Sequence, residues 1–221
     1  MDKNQGLEIL MDMEGFELVS LLCSRLCHDL VSPVGAITNG LEVLADETDS
    51  ELREMAIRLI TQSADRASNR LQFARLAYGS SGGPGGQIDM GEARKVTLAV
   101  LEDYKVALEW RCDTGVVSRM AAKLLVNSAF LAAEALPRGG RLIAALTLDG
   151  ATTHIDITAT GPMVRPIEGM IEILRGDASL SSLAPRAAQA YYTGMIARLM
   201  RADLKAVLGS EQLSLKGSFT G

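Results

Sequence analysis

His28 lies in the run Cys27-His28-Asp29-Leu30-Val31-Ser32-Pro33-Val34-Gly35-Ala36-Ile37, inside a long amphipathic segment. A neutral imidazole is a nucleophile at cellular pH, because an ordinary pKa of about 6.5 leaves one ring nitrogen unprotonated. Such a nitrogen can accept a phosphoryl group with no base stronger than a neighbouring carboxylate. Asp29 is the candidate orienting acid. Residues at i and i+1 do not face each other on a helix, so spacing alone does not bond Asp29 to His28, and action across the contact with a partner is the other route. Arg25 and Ser32, with Ser24 and Gly35, share the His28 face by helical spacing, which makes Arg25 and Ser32 candidates to contact phosphoryl oxygens. Arg25 reads equally well as a solvated surface charge.

The helix that must carry these groups is visible in its apolar arc. At about 100° per residue, Leu18, Leu22, Leu26, Leu30, Val34, Ile37, Leu41 and Leu44 fall on one side, and His28 lies roughly 200° from Leu26. The imidazole is therefore expected to face water. Pro33 removes an intrahelical hydrogen bond and crowds the carbonyl of Asp29, so a bend is expected one turn past the histidine. Cys23, Cys27 and His28 also have the spacing of metal ligands, but no second Cys or His pair completes a tetrahedral set. The two cysteines fall on the flank of the apolar arc, where core packing as small hydrophobes is the better account.

The run around His28 resembles the H-box of dimeric histidine kinases: a His, an acid, three residues, then Pro with a small or apolar tail. All of these positions are filled. The surroundings suit that resemblance. A polar break at Asp46-Glu47-Thr48-Asp49-Ser50 ends the first helix, expected over residues 14–44, and supplies a cap for a second. The second helix carries Leu52, Met55, Ala56, Leu59, Ser63, Ala67, Leu71, Ala74 and Tyr78 near heptad spacing. One stripe per helix cannot be buried on both sides within a two-helix hairpin. Pairing two hairpins into a four-helix bundle solves this, so a homodimer is expected. Helix two, with the part of helix one beyond the break, would form the groove that a partner helix enters.

The stretch Gly79-Ser80-Ser81-Gly82-Gly83-Pro84-Gly85-Gly86 cannot hold a helix, and it divides the chain into a hairpin module at 1–78, a connector at 79–86 and a second module at 87–221. The second module reads as helix 92–101, strand 106–111, helix 118–136, strands 141–148 and 154–160 joined at Asp149-Gly150, helices 165–174 and 185–200, and a closing hairpin of 204–208 and 213–219. The fold class is α+β: the helical hairpin, then an α/β sandwich with a mostly antiparallel sheet.

This second module resembles the ATP-binding domain that follows the H-box in histidine kinases, but with the nucleotide residues gone. Asn127 keeps the first of two asparagines, whereas Leu131 stands where the second, a magnesium ligand, belongs, and leucine cannot coordinate a metal. Leu136-Pro137-Arg138-Gly139-Gly140 matches the following turn, which places Ala159-Thr160-Gly161-Pro162-Met163 on Asp-x-Gly-x-Gly. Gln189-Ala190-Tyr191-Tyr192-Thr193-Gly194 replaces the Gly-rich phosphate loop, with side chains that obstruct close backbone approach. A phosphorylatable hairpin on such a domain resembles the ChpT-type histidine phosphotransferases of alphaproteobacteria. The resemblance implies a dimeric relay in which His28 takes a phosphoryl group from the receiver domain of a hybrid histidine kinase and passes it to response regulators of the cell cycle. It also implies no cofactor bound by this chain, with Mg²⁺ brought by the receiver. A silent adaptor for receivers is the alternative, and an ATP-dependent kinase ranks last.

Composition bounds the rest. The 221 residues carry a net charge of −5 and 4% aromatics, which argues against a nucleic-acid surface. Three unpatterned cysteines give no disulfide framework. With no signal peptide and no apolar run of about 18 residues, a cytoplasmic protein is expected.

Overall fold

The computed structural model describes residues 3–79, 86–112 and 114–220, with side chains from residue 13 onward. Helices α1 (Lys3–Asp46) and α2 (Ser50–Ala77) form the hairpin, α1 beginning well ahead of the expected residue 14. The turn between them is built as its residue types require. Asp49 caps α2 by accepting from the amides of Glu51 and Leu52 at 2.8 and 3.1 Å, and Arg53 returns to donate to the carbonyls of Leu44 and Glu47 at 2.7 and 2.8 Å. Both sets of orphan backbone groups at the turn thus find partners. Gly40 lets the helices close up: a Cβ there would meet Ile60 Cγ1 at 2.6 Å. Pro33 lies inside α1, which continues through it.

The body comprises β1 (Gln87–Asp89), α3 (Met90–Leu101), β2 (Val106–Cys112), β3 (Val116–Ser118), α4 (Arg119–Glu134), β4 (Gly140–Asp149), β5 (Thr152–Thr160), α5 (Met170–Arg175), α6 (Ala188–Leu199), β6 (Lys205–Leu208) and β7 (Gln212–Thr220). Five strands form one sheet in the order β2-β4-β5-β7-β6. Only β2 and β4 run parallel, and α4 lies on the crossover such a pair needs. Leu142, Ala144, Leu146, Ile155, Ile157, Ala159, Leu213 and Leu215 alternate along their strands and are all buried. They form the face on which α4 packs, and α4 is itself buried from Ala121 to Ala133. The result is the expected α+β layering.

Two parts of the body differ from expectation. Residues 165–169 are not helical: Arg165 donates its amide to the carbonyl of Ala135 at 2.7 Å, Pro166 cannot donate one, and Gly169 turns with φ 69°, so α5 starts only at Met170. A two-stranded antiparallel ladder of β1 and β3 was not expected, since three residues per strand carry no readable period.

The hairpin and body share a core. Phe73 and Ala77 of α2 belong to the apolar cluster that includes α4 and the sheet, with the rings of Phe73 and Phe130 4.6 Å apart. Of the connector expected at 79–86, residues 80–85 lie outside the described residues.

Candidate functional site

His28 stands on α1 with its side chain 85% exposed, and its Nδ1 lies 3.5 Å from Asp29 Oδ1. That separation is longer than a good hydrogen bond but directs the carboxylate at one ring nitrogen, leaving Nε2 open to solvent. The adjacent pair therefore does meet, although i,i+1 spacing did not require it. Ser32 is exposed one turn further along. It lines a groove of about 320 Å³ with Asp29, Pro33, Leu59, Ser63 and Arg66, between α1 and α2.

Arg25 is placed differently from the expectation. It is only 6% exposed and is turned into the joint between hairpin and body. Its Nε donates to Asp29 Oδ2 and its Nη1 to the Arg186 carbonyl, each at 3.0 Å, while Nη2 pairs with Glu134 Oε1. Its fork of donors is thus turned toward protein acceptors rather than toward solvent phosphate. Burial disfavours the charged guanidinium, but Glu134 and then Asp29 more than offset this, so its pKa lies above the ordinary value. For Glu134 burial dominates and pushes its carboxyl above the usual range, with Arg25 pulling it back. Glu134 Oε2 is buried without a hydrogen-bond partner among the described residues.

Two other cations flank His28, Arg186 exposed and Arg70 partly buried. Arg70 of α2 lies 3.5 Å from Asp29 Oδ2 and 3.4 Å from Asp103 Oδ2, its guanidinium over the ring of Tyr104. Arg70, Arg186, Tyr104, Glu134 and Pro185 join His28 around a cleft of about 590 Å³. Burial, with the Glu134 charge, pushes the Tyr104 hydroxyl up to about 12. Sequence reasoning missed Arg70, Glu134 and Arg186; only Arg66 and Arg70 at i,i+4 on the helix facing His28 gave any signal.

The cysteines depart from the expected core packing: Cys23 and Cys27 are both exposed. No cluster of three or more metal-ligating side chains occurs among the described residues.

The residues that the resemblance aligns with a nucleotide site bond within the protein. Asn127, fully buried, donates to the carbonyls of Lys123 and Ala77 at 2.7 and 3.3 Å and accepts from Gln189 Nε2 at 2.6 Å. Tyr78 donates to Gln189 Oε1. Lys123 Nζ donates to the Tyr78 carbonyl and to Tyr192, each at 3.2 Å, and burial, with Arg119 nearby, holds it below the ordinary lysine range. The end of α2 is therefore capped by side chains of α4, with α6 locked in. Leu131 is buried. Gly161 and Gly194 serve close packing, since a Cβ would meet the Gly139 carbonyl at 2.7 Å and the Leu174 carbonyl at 2.1 Å respectively.

The hairpin presents an exposed histidine beside a carboxylate and is seated on an α/β body through a buried polar joint. Residues 90–212, more than half of the chain, match the family of the histidine phosphotransferase C-terminal domain, and the chain belongs to that family. It is 40% identical over 187 residues to the protein phosphotransferase ChpT of Brucella abortus (strain 2308), spanning 84% of this chain and 87% of that protein. A bacterial phosphotransferase solved at 1.7 Å superposes with a TM-score of 0.81 at 34% identity, over 91% of this chain and 96% of that one. The chain is accordingly a ChpT-like histidine phosphotransferase. No helix among the described residues is long and apolar enough to cross a membrane.

Proposed function

We propose that His28 is the phosphoryl carrier of a phosphorelay, receiving the group from the receiver domain of a hybrid histidine kinase and yielding it to response regulators that govern the cell cycle, in the cytoplasm. The observation that carries this reading is the exposed imidazole with Asp29 directed at Nδ1 and Nε2 free. In the forward step the Nε2 lone pair forms the N–P bond while the receiver's acyl-phosphate O–P bond breaks, its electron pair leaving with the aspartyl carboxylate. Nδ1 keeps its proton, and Asp29 balances the positive charge that develops on the ring. Arg70 and Arg186, at the cleft beside His28, suit phosphoryl oxygens by charge. Mg²⁺, which neutralises those oxygens, arrives with the receiver; a guanidinium-rimmed cleft is a poor donor set for it. A receiver helix fits the groove of Ser32, Pro33, Ala36, Leu59 and Ser63.

The acting species is a homodimer. Phe16, Val19, Val34 and Leu41 of α1 are half or more exposed, and at 100° per residue they fall within a sector of ~60°, away from His28. Contiguous apolar faces of this kind seldom stay uncovered on a monomer. The whole reading is tested with radiolabelled ATP and Mg²⁺, first alone and then with a receiver phosphorylated by its kinase. No label is expected in the first case, and acid-labile label, abolished by His28→Ala, in the second. Label from ATP alone overturns the relay reading; a receiver that binds without transferring makes the chain a silent adaptor.

A further inference from the structure

One buried guanidinium joins α1 to the body less than one turn before His28. Arg25 meets Glu134 from the end of α4 and the carbonyl of Arg186 from the single turn at Pro185–Ala187, besides Asp29 on its own helix. The face of Phe130 lies 5.9 Å from its central carbon. Burying an ion pair is no efficient route to stability, because desolvation consumes most of the Coulombic gain and an apolar pair of similar size does as well. What a buried Arg–carboxylate fork supplies that an apolar pair cannot is direction, since the planar donors fix where each acceptor oxygen lies.

Here the directed acceptor is the carboxylate that faces the histidine. Arg25 Nε holds Asp29 Oδ2, and Arg70 lies 3.5 Å from the same oxygen, so that Oδ1 is the oxygen presented to His28 Nδ1. We infer that Arg25 and Glu134 are positioning residues for phosphoryl transfer: Glu134 fixes Arg25, Arg25 fixes Asp29, and Asp29 thereby holds the Nδ1 proton and orients Nε2 toward the incoming phosphorus. Through Arg25 the body sets the carboxylate that orients the histidine, a role separate from any contact with the phosphoryl group. The inference rests on His28 being the acceptor.

The test uses the full chain carrying Glu134→Gln, which keeps shape and removes charge, and Arg25→Lys, which keeps charge and removes the fork. Two donors are compared: a phosphorylated receiver and phosphoramidate, a small donor that needs no docked protein. With only two histidines in the chain, the His28 imidazole ¹⁵N signals are assigned by His154→Ala. Each variant is expected to lower the saturating rate with the receiver by roughly tenfold, in line with losses of groups that orient a reacting side chain. The half-saturating receiver concentration stays within twofold, labelling by phosphoramidate slows in parallel, and the Nδ1 and Nε2 shifts move toward a less biased tautomer ratio. Unchanged rates and shifts in Arg25→Lys, whether or not Glu134→Gln folds, overturn the inference. So does a loss confined to the receiver as donor, which assigns the pair to docking. Label that persists in His28→Ala overturns the acceptor assignment instead, and the two failures are thereby distinguished.

Discussion

Asn127→Ala tests whether the retained asparagine is a joint rather than a remnant. The side chain is fully buried and makes three hydrogen bonds, of which the one to Lys123 repeats an acceptor that the helix backbone already uses. Truncation therefore strands two groups, the Ala77 carbonyl at the end of α2 and the amide of Gln189. A buried polar group left unpaired costs about 1–3 kcal/mol, so the pair amounts to about 2–6 kcal/mol. Against a typical stability of 5–15 kcal/mol this is a large fraction. For a chain of this length it corresponds to a fall in Tm on the order of 10 °C, read by calorimetry and by urea unfolding at matched m-values. The loss should be coupled to Gln189: a double-mutant cycle of Asn127→Ala with Gln189→Ala is expected to be strongly non-additive. A destabilisation under about 1 kcal/mol, or additive singles, refutes the joint.

Val34→Glu with Leu41→Glu places two charges on the apolar sector of α1, where both residues are half-exposed; monomer at micromolar concentration in sedimentation is expected, while a wild-type chain that is itself monomeric refutes the dimer. Tyr104, with its hydroxyl pushed up to about 12 by burial, favours the protonated form in the fold. The stability linked to it is therefore fully present below pH about 10 and lost between there and about 12, by at most about 3 kcal/mol, and Tyr104→Phe should flatten that limb of an alkaline unfolding series. Gly194→Ala would drive a Cβ against the Leu174 carbonyl at 2.1 Å and should cost about 1–3 kcal/mol by forcing α5 and α6 apart; a Tm unchanged within one degree refutes the close approach.

The hairpin was legible because its signals are local: the polar break before Asp49, the cap, and apolar residues three and four apart. The body's order was legible for the same reason. Arg25 was not. Its partners Glu134 and Arg186 are 109 and 161 residues away, and helical periodicity treats a charge on the polar side as solvated. The structure seats the body on part of that polar side, so the residue expected at the phosphate lies under the joint. Glu134 stands at the end of α4 with no local mark, and Arg70 sits among other charges of α2, marked only by its spacing from Arg66. Gly161 illustrates the converse, aligned with a glycine in the letters while in the fold it allows close approach to the Gly139 carbonyl.

The connector's two ends are each held independently. Gly79 donates to the Arg75 carbonyl at 3.0 Å, and the Gly86 carbonyl accepts from the Arg119 amide at 2.8 Å. The body is seated on the hairpin by side-chain bonds of Asn127, Lys123, Gln189 and Arg25. Lengthening a segment closed between fixed points costs only about 0.6 kcal/mol per doubling. A segment inserted between residues 79 and 86 is therefore expected to leave these bonds, and with them the seat of the histidine beside its carboxylate, in place.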